Sequence, residues 1–255
     1  MGRKYVIMNS NSYFNSANMN YIFNVEYFEN AKDSMINKLN KDIENFEFPK
    51  INMFEELMDA KEYKSFILYT TYPGLLMGSG NLHDISCKGA FKLGFSFDYV
   101  NGLPYLAGSS LKGILRSVFP EQQKEDKKEY CSYLNGLIGG NEKSEQELIE
   151  LEHEIFDYAD VFLGAYPDNK VNNESVYLAS DFITPHKPLK NPNPISFVKI
   201  KPGIGFKFHF LLKDGHNMSA EDKCYLFKRL ILDLGVGAKT NIGYGKFEEK
   251  MNNQF

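Results

Sequence analysis

Strand-like and helix-like segments follow one another twice along this chain, and that order limits the folds it can adopt. The strand pattern SFILYTTY (65–72) precedes the helix pattern GSSLKGILRSVFP (108–120). Further on, the strand patterns ISFVKI and GFKFHFLL, expected to form a hairpin across 201–203, precede a helix pattern that ends near Leu234. A short strand follows the second helix. Two βαβ-like halves on one antiparallel sheet predict an α+β, ferredoxin-like fold.

Three further segments are expected around this core, within a single domain of residues 1–255. Apolar residues recur mostly at helical spacing up to residue 62, so we predict a helical N-terminal extension over 1–62. The charged stretch 120–160 is predicted to be a helical insertion. The proline- and asparagine-rich stretch 166–194 contains the strand pattern SVYLASDF and is predicted to project as a hairpin arm.

Local signals predict one more strand and one helix cap. Strict alternation in AFKLGFSFDY predicts a strand, and a turn follows at Asn101-Gly102. One face of that strand would carry Phe91, Leu93, Phe95, Phe97 and Tyr99. Ser219 and Asp222 are predicted to cap the second helix, which would end at Gly235.

The overall charge gives little sign of a free-standing nucleic-acid binder. The formal net charge of the 255 residues is −4, whereas such binders usually carry a basic excess. A local basic face, or a subunit whose neighbours supply charge, stays compatible with this value. We expect no membrane contact, because no apolar run approaches the roughly 18 residues of a membrane span. The 3 cysteines are isolated in sequence, which predicts reduced thiols and a cytoplasmic protein.

The segment GSSLKGILR has features of a phosphate-binding helix start. Ser109 or Ser110 is expected to cap the helix and leave backbone N–H groups free at its first turn. Lys112 and Arg116 are four residues apart and are expected on the solvent-facing side, opposite an apolar stripe. An ordinary capped amphipathic helix explains the same residues, and this alternative stays open.

The glycine-rich segment GVGAKTNIGYGKF is the second candidate site. Lys239, Thr240, Asn241 and Tyr244 lie among its glycines, and these residue types contact phosphate, ribose or base. A bare backbone, as at Gly243, with interspersed donors suits an extended polyanion, although tight turns also need glycines. Neither segment is a nucleotide-binding P-loop, because Ser109 stands where that motif needs lysine and Ala238 where it needs glycine.

No pattern for a metal centre or a catalytic triad is present in the sequence. His83, Asp84 and Cys87 lie close together but lack the spacing of a zinc site. His209 alternates with two phenylalanines, so we expect it at the sheet surface, and we expect His153 and Asp157 to be solvated. We therefore expect no metal, no cofactor and no catalytic residue.

Taken together, these motifs resemble the RAMP superfamily of CRISPR effector proteins, and more narrowly the sixth RAMP subunit of the type III-B, or Cmr, complex. The resemblance rests on segments that cover most of residues 65–247: GLPYLAGSSLKGILR, TTYPGLLMGSGN, VFLGAYP, DFITPHKP, NPNPISFVKIKPG and LGVGAKTNIGYGKF. It implies a ferredoxin-like, RRM-related RAMP core with a C-terminal glycine-rich loop. Residues 1–60 carry no part of it.

The resemblance implies a non-catalytic, RNA-binding subunit for antiviral defence. Such a subunit would cap the backbone filament towards the 3′ part of the CRISPR RNA and help hold guide and target RNA, with other Cmr-complex RAMP subunits as partners. Backbone subunits of the family cut RNA with an aspartate before Gly-Leu-Pro-Tyr, and this chain has Lys92 and Gly94 about there, with Asp98 too close to the turn. The expected RNA-binding residues are Ser109, Ser110, Lys112, Arg116, His186, Lys239, Thr240, Asn241, Gly243 and Tyr244. A RAMP-type endonuclease using His83 or Asp84, and a purely structural filament cap, remain alternatives.

Overall fold

The computed structural model of the chain describes residues 14–80, 82–83, 85–184 and 194–250. Its α-helices are α1 (Met19–Tyr21), α2 (Tyr27–Asn30), α3 (Ile36–Glu44), α4 (Gly108–Arg116), α5 (Lys127–Ile138), α6 (Glu145–His153) and α7 (Ala220–Leu234). Its strands are β1 (Tyr63–Thr70), β2 (Val161–Pro167), β3 (Leu178–Ile183), β4 (Ile195–Ile200), β5 (Gly205–Leu211) and β6 (Phe247–Glu248). Two π-helical segments, Ile22–Glu26 and Glu154–Ala159, continue α1 and α6.

A four-stranded antiparallel sheet forms the centre of the molecule, in the order β2-β5-β1-β6. Helix α4 lies in the connection from β1 to β2 and contacts β2, and α7 lies between β5 and β6 and contacts β1. The two helices also contact each other, so both cover the same side of the sheet. The buried stripe of α4, with Leu111 and Leu115 fully buried, and the long apolar face of α7 therefore form one core with the sheet.

The predicted hairpin of ISFVKI and GFKFHFLL is wrong. Strand β4 pairs with β3 in a separate two-stranded sheet, whereas β5 lies between β1 and β2. Leu75, just after β1, forms two backbone hydrogen bonds with Ile200 at the end of β4: its amide donates to the Ile200 carbonyl oxygen at 3.1 Å, and the Ile200 amide donates to its carbonyl oxygen at 2.9 Å. The physical reason is burial: Phe206, Phe208 and Phe210 on one face of β5 and His209 on the other are all buried, as suits a strand with a neighbour at each edge.

The predicted strand AFKLGFSFDY is also wrong as a regular element. Its backbone amides bond to separate segments: Lys92 to the carbonyl oxygen of Ser196, Ser96 to Met77, and Asp98 to Leu103. The alternation holds for side-chain burial at Phe91, Phe95 and Phe97, but Tyr99 is exposed at the tip of the turn. The alternating aromatic side chains therefore fill the core, but the backbone of this segment bonds to several separate segments and does not form a regular strand pairing.

The N-terminal region covers part of the sheet face opposite the helices. The segment that leads into β1 is largely irregular, so the helical spacing up to residue 62 describes only its first part. The Phe54 ring lies 5.0 Å from the His209 ring and 5.9 Å from the Tyr166 ring. His209 is consequently buried, and the expectation of a sheet-surface histidine is wrong. Within the described ranges, no helix combines the length and apolarity that crossing a membrane requires.

Candidate nucleic-acid interface

The start of α4 differs from the predicted serine cap. The helix begins at Gly108 after Ala107, no side chain caps it, and Ser109 and Ser110 lie exposed in its first turn. The reason is close packing: a Cβ added to Gly108 would lie 1.8 Å from the carbonyl oxygen of Phe162, where β2 bulges. The glycine in GSSLKG therefore brings the helix against the edge strand.

Lys112 and Arg116 do not face solvent freely, so this expectation is wrong. The Lys112 ammonium donates to the carbonyl oxygen of Phe156. Arg116 Nε lies 2.8 Å from Glu152 Oε1, and its Nη1 lies 2.7 Å from Asp157 Oδ1. The Glu152 side chain is fully buried, and its bond to Arg116 raises the pKa of the guanidinium above its ordinary value. The two cations join α4 to α6 and to the π-helical segment that continues it.

His153 and Asp157 belong to the same ion cluster and are not simply solvated. His153 Nδ1 lies 2.7 Å from Asp157 Oδ2, and His153 Nε2 lies 3.3 Å from Glu121 Oε2. The bond to Asp157 raises the pKa of His153, and the bonds from His153 and Arg116 lower the pKa of Asp157. The helical insertion is thus held to α4 by charge pairs that the sequence left unassigned.

The glycine-rich loop is joined to the segment that follows β1. The Gly245 amide donates to the carbonyl oxygen of Gly74 at 2.8 Å, the Ala238 amide to Leu76 at 2.7 Å, and the Thr71 amide to Lys246 at 3.0 Å. Two segments that resemble the RAMP superfamily, TTYPGLLMGSGN and LGVGAKTNIGYGKF, are therefore hydrogen-bonded to each other, although one follows the first strand of the central sheet and the other precedes the last.

Two glycines of this loop differ sharply in their surroundings. Gly245 has φ +69°, and a Cβ there would lie 1.9 Å from the carbonyl oxygen of Val236. Gly243 has φ +98°, and the nearest atom to a Cβ would be Pro73 Cδ at 3.4 Å. Gly245 is thus required by the loop's own packing, while Gly243 leaves space above the backbone.

A polar cluster of three residues joins the loop to the two-stranded sheet. The Tyr244 hydroxyl donates to Asp181 Oδ2 at 2.7 Å, and the Lys199 ammonium donates to the same oxygen at 2.5 Å. Partial burial acts to raise the pKa of Asp181, but the bonds from Lys199 and Tyr244 outweigh it and the pKa is lowered. Burial and the bond to Asp181 raise the pKa of Tyr244. These residues come from three of the motifs that resemble the superfamily.

Tyr244 is almost fully buried, so the expectation that its side chain is open to a ligand is wrong. Lys239, Thr240 and Asn241, in contrast, are half-buried or exposed, and none of their side chains bonds to any residue that the structure describes. Lys246 donates to the carbonyl oxygens of Asp233 and Leu234 and so closes the C-terminus of α7. His186 lies outside the described residues.

The two predicted sites do not form adjoining walls. The start of α4 packs on β2, and the glycine-rich loop leads into β6, the strand at the opposite edge of the sheet. Three strand spacings, roughly 14 Å, separate these edges. The side chains of Lys239, Thr240 and Asn241 make no bond to the described residues, and sequence patterns did not identify the exposed Tyr72, which follows β1. Its place beside Pro73-Gly74 in the superfamily-like segment was the available signal.

The residues considered for catalysis have structural roles or lie outside the described ranges. His83 is buried between Phe23 and Phe28, and burial lowers its pKa to about 4. Asp98 Oδ1 accepts the amides of Val100 and Asn101 and so holds the turn. Asp84 lies outside the described residues. Where the structure describes the chain, it holds no group of three or more His, Cys, Asp or Glu residues suited to a metal ion.

Comparison with known proteins agrees with this arrangement. The model of the RAMP superfamily matches residues 67–248, and the chain belongs to that superfamily. The chain resembles the CRISPR system CMR subunit Cmr6 of Saccharolobus solfataricus, with 29% identity over 164 residues, 62% of this chain and 49% of that protein. It thus spans about half the length of the curated relative it matches.

Two solved structures are also similar. A chain in a cryo-EM structure of the type III-B Cmr-beta complex bound to cognate target RNA matches with a TM-score of 0.55 and 24% identity, over 84% of this chain and 72% of that one. Cmr6 from Pyrococcus furiosus matches with a TM-score of 0.48 and 21% identity, over 74% of this chain and 98% of that one. The first match shows a shared fold.

Proposed function

We propose that this chain is a non-catalytic, RNA-binding subunit of a type III-B CRISPR effector complex, and that it caps the backbone filament towards the 3′ part of the CRISPR RNA. There it would help hold guide and target RNA, with other RAMP subunits of the complex as neighbours, in the cytoplasm. The similarity to Cmr6 and to a chain of an RNA-bound Cmr assembly supports this class of function. The division into a core, a helical extension over 1–62, an insertion over 120–160 and an arm over 166–194 is part of the proposal.

One observation carries the proposal: separate superfamily-like motifs meet at the glycine-rich loop, where polar side chains are left unused by the fold. Asn241 is exposed there and Lys239 is half-buried, and Gly243 leaves space above the backbone beside them. RNA-binding surfaces combine such amide and ammonium donors with phosphate and sugar contacts. The order β2-β5-β1-β6, with helices in the first and last connections, also supports a ferredoxin-like core.

At the start of α4, the proposed contact is now limited to the exposed Ser109 and Ser110. Lys112 and Arg116 are occupied within the protein, so we assign them no direct role with RNA. His186 stays a proposed contact of the arm. Catalysis is disfavoured because the low pKa and burial of His83 leave it a poor base, and because Asp98 is occupied in its turn.

The test is to reconstitute the complex with guide RNA, using either the parent chain or the double variant Lys239→Ala, Asn241→Ala. Lys61→Ala is the control, because it removes an exposed lysine that precedes β1, far from the loop. We expect the loop variant to retain less guide RNA at fixed salt, and the control to match the parent. Equal retention by all three would favour a purely structural cap. Cleavage of target RNA by the purified chain would favour the endonuclease alternative.

A further inference from the structure

An exposed aromatic side chain, that of Tyr72, lies in the segment that is hydrogen-bonded to the glycine-rich loop. Tyr72 follows β1, and its side chain is 84% exposed. The structure shows no hydrogen bond or ring contact between this side chain and any other described residue. Single exposed aromatic residues are common on protein surfaces, so what distinguishes Tyr72 is its place in the segment that is hydrogen-bonded to the glycine-rich loop, the proposed RNA-binding surface.

The backbone around Tyr72 is held firmly against the loop. The Thr71 amide donates to the carbonyl oxygen of Lys246 at 3.0 Å, and the Gly74 carbonyl accepts from Gly245 at 2.8 Å. Pro73 lies against Gly243, at 3.4 Å from the position of an added Cβ. The backbone that carries the ring is therefore already ordered, so a contact made by the ring costs only the rotational freedom of its side chain.

The loop to which the Tyr72 segment is hydrogen-bonded carries groups that recognise a nucleic-acid strand. Lys239 supplies a charge without an ion-pair partner among the described residues, and Asn241 supplies exposed amide donors. Stacking of bases on an aromatic ring beside a backbone-binding groove is how proteins hold single strands without reading their sequence. An unpaired base can reach such a ring, whereas a paired base in an A-form helix cannot.

Resting on the proposed RNA-binding function, we propose that the Tyr72 ring is a stacking platform for an unpaired RNA base whose backbone lies along the glycine-rich loop. The ligand class is single-stranded RNA, with little preference among the four bases, because every base has a π-face. The hydroxyl group of Tyr72 is not needed for this contact.

The test measures binding of fluorescent single-stranded RNA to the full chain by anisotropy, for the parent, Tyr72→Ala and Tyr72→Phe. We expect about ten-fold weaker binding for Tyr72→Ala and parental binding for Tyr72→Phe, as ring stacking requires. Tyr99→Ala is the matched control, because Tyr99 is 85% exposed on a turn whose nearest charged side chain in sequence is the acidic Asp98. It should bind RNA as the parent does.

Abasic RNA separates stacking from other causes. Replacing bases by abasic sites should weaken binding to the parent about ten-fold but hardly change binding to Tyr72→Ala, because both changes remove the same contact. Parental RNA binding by Tyr72→Ala overturns the inference and leaves the proposed function standing. If that variant binds RNA as the parent does but no longer assembles with neighbouring subunits, the ring contacts protein instead of RNA. Failure of the isolated parent chain to bind RNA overturns this inference, whereas the proposed function is overturned only if the reconstituted complex retains guide RNA equally with and without this chain.

Discussion

Arg116 gives the sharpest test of the energetics, because the structure reverses what its sequence position predicts. An exposed arginine opposite an apolar stripe would be replaceable at a cost below about 0.5 kcal/mol. Here its Nε lies 2.8 Å from Oε1 of Glu152, a carboxylate with a fully buried side chain. Arg116→Ala would leave that buried charge without its cation, which typically costs about 3–5 kcal/mol.

The expected magnitude lies at the lower end of that range. Glu152 keeps two other donors, the Gln122 side-chain amide at 2.7 Å and the Glu121 backbone amide at 3.2 Å. We therefore expect a loss of about 3 kcal/mol in the free energy of unfolding. For a chain of this size, that corresponds to a decrease of roughly 6–12 °C in Tm.

The assay is urea unfolding followed by circular dichroism. A second change, Glu152→Gln, should restore part of the stability of Arg116→Ala, because it removes the buried charge while keeping the shape. Lys239→Ala serves as the matched control at a cation without an ion pair in the described part of the chain, and it should shift stability by less than about 0.5 kcal/mol. A loss below about 0.5 kcal/mol for Arg116→Ala, or no recovery with Glu152→Gln, would refute the reasoning.

Two further predictions concern the loop and a buried histidine. Gly245→Ala should destabilise the chain by about 3 kcal/mol, because it adds left-handed strain and displaces two loop hydrogen bonds. Gly243→Ala should cost only the strain, about 1–2 kcal/mol, and equal urea midpoints for the two variants would contradict this. Burial lowers the pKa of His209 to about 3, below its value of about 6.5 in the unfolded chain. The unfolded chain therefore takes up a proton first as the pH falls, and the free energy of unfolding decreases from pH 6.5 towards pH 3. At pH 5, His209 alone accounts for about 2 kcal/mol of this loss. His209→Gln should therefore lose less free energy of unfolding between pH 7 and pH 5 than the parent does, and an equal loss in the two proteins would contradict the assignment.

Local patterns were sufficient wherever the interaction partners lie close in sequence. The apolar stripe of α4 predicted the buried positions Leu111 and Leu115, and the cap at Ser219 and the end of α7 at Gly235 match the structure. Each of these features depends on backbone geometry and on residues within a few positions, which periodicity and cap chemistry describe directly.

Features that depend on distant partners were not predictable in this way. Arg116 and Glu152 are 36 residues apart, and nothing at either position identifies the other. The pairing of β4 with β3 instead of β5 depends on which aromatic strand is best buried between two neighbours. At the candidate site, the sequence identified the loop but not the burial of Tyr244, because its partner Asp181 lies in another sheet.

Mapping of crosslinks shows whether RNA lies along the glycine-rich loop and the segment after β1. The complex would be assembled with guide RNA carrying 4-thiouridine, irradiated, digested and analysed by mass spectrometry. We expect crosslinked peptides of this chain from residues 71–80 and 237–245, with Tyr72 among the modified residues. Crosslinks confined to residues 112–116, on the side of α4 that faces Glu152, or to the helical insertion at 120–160, would contradict this expectation.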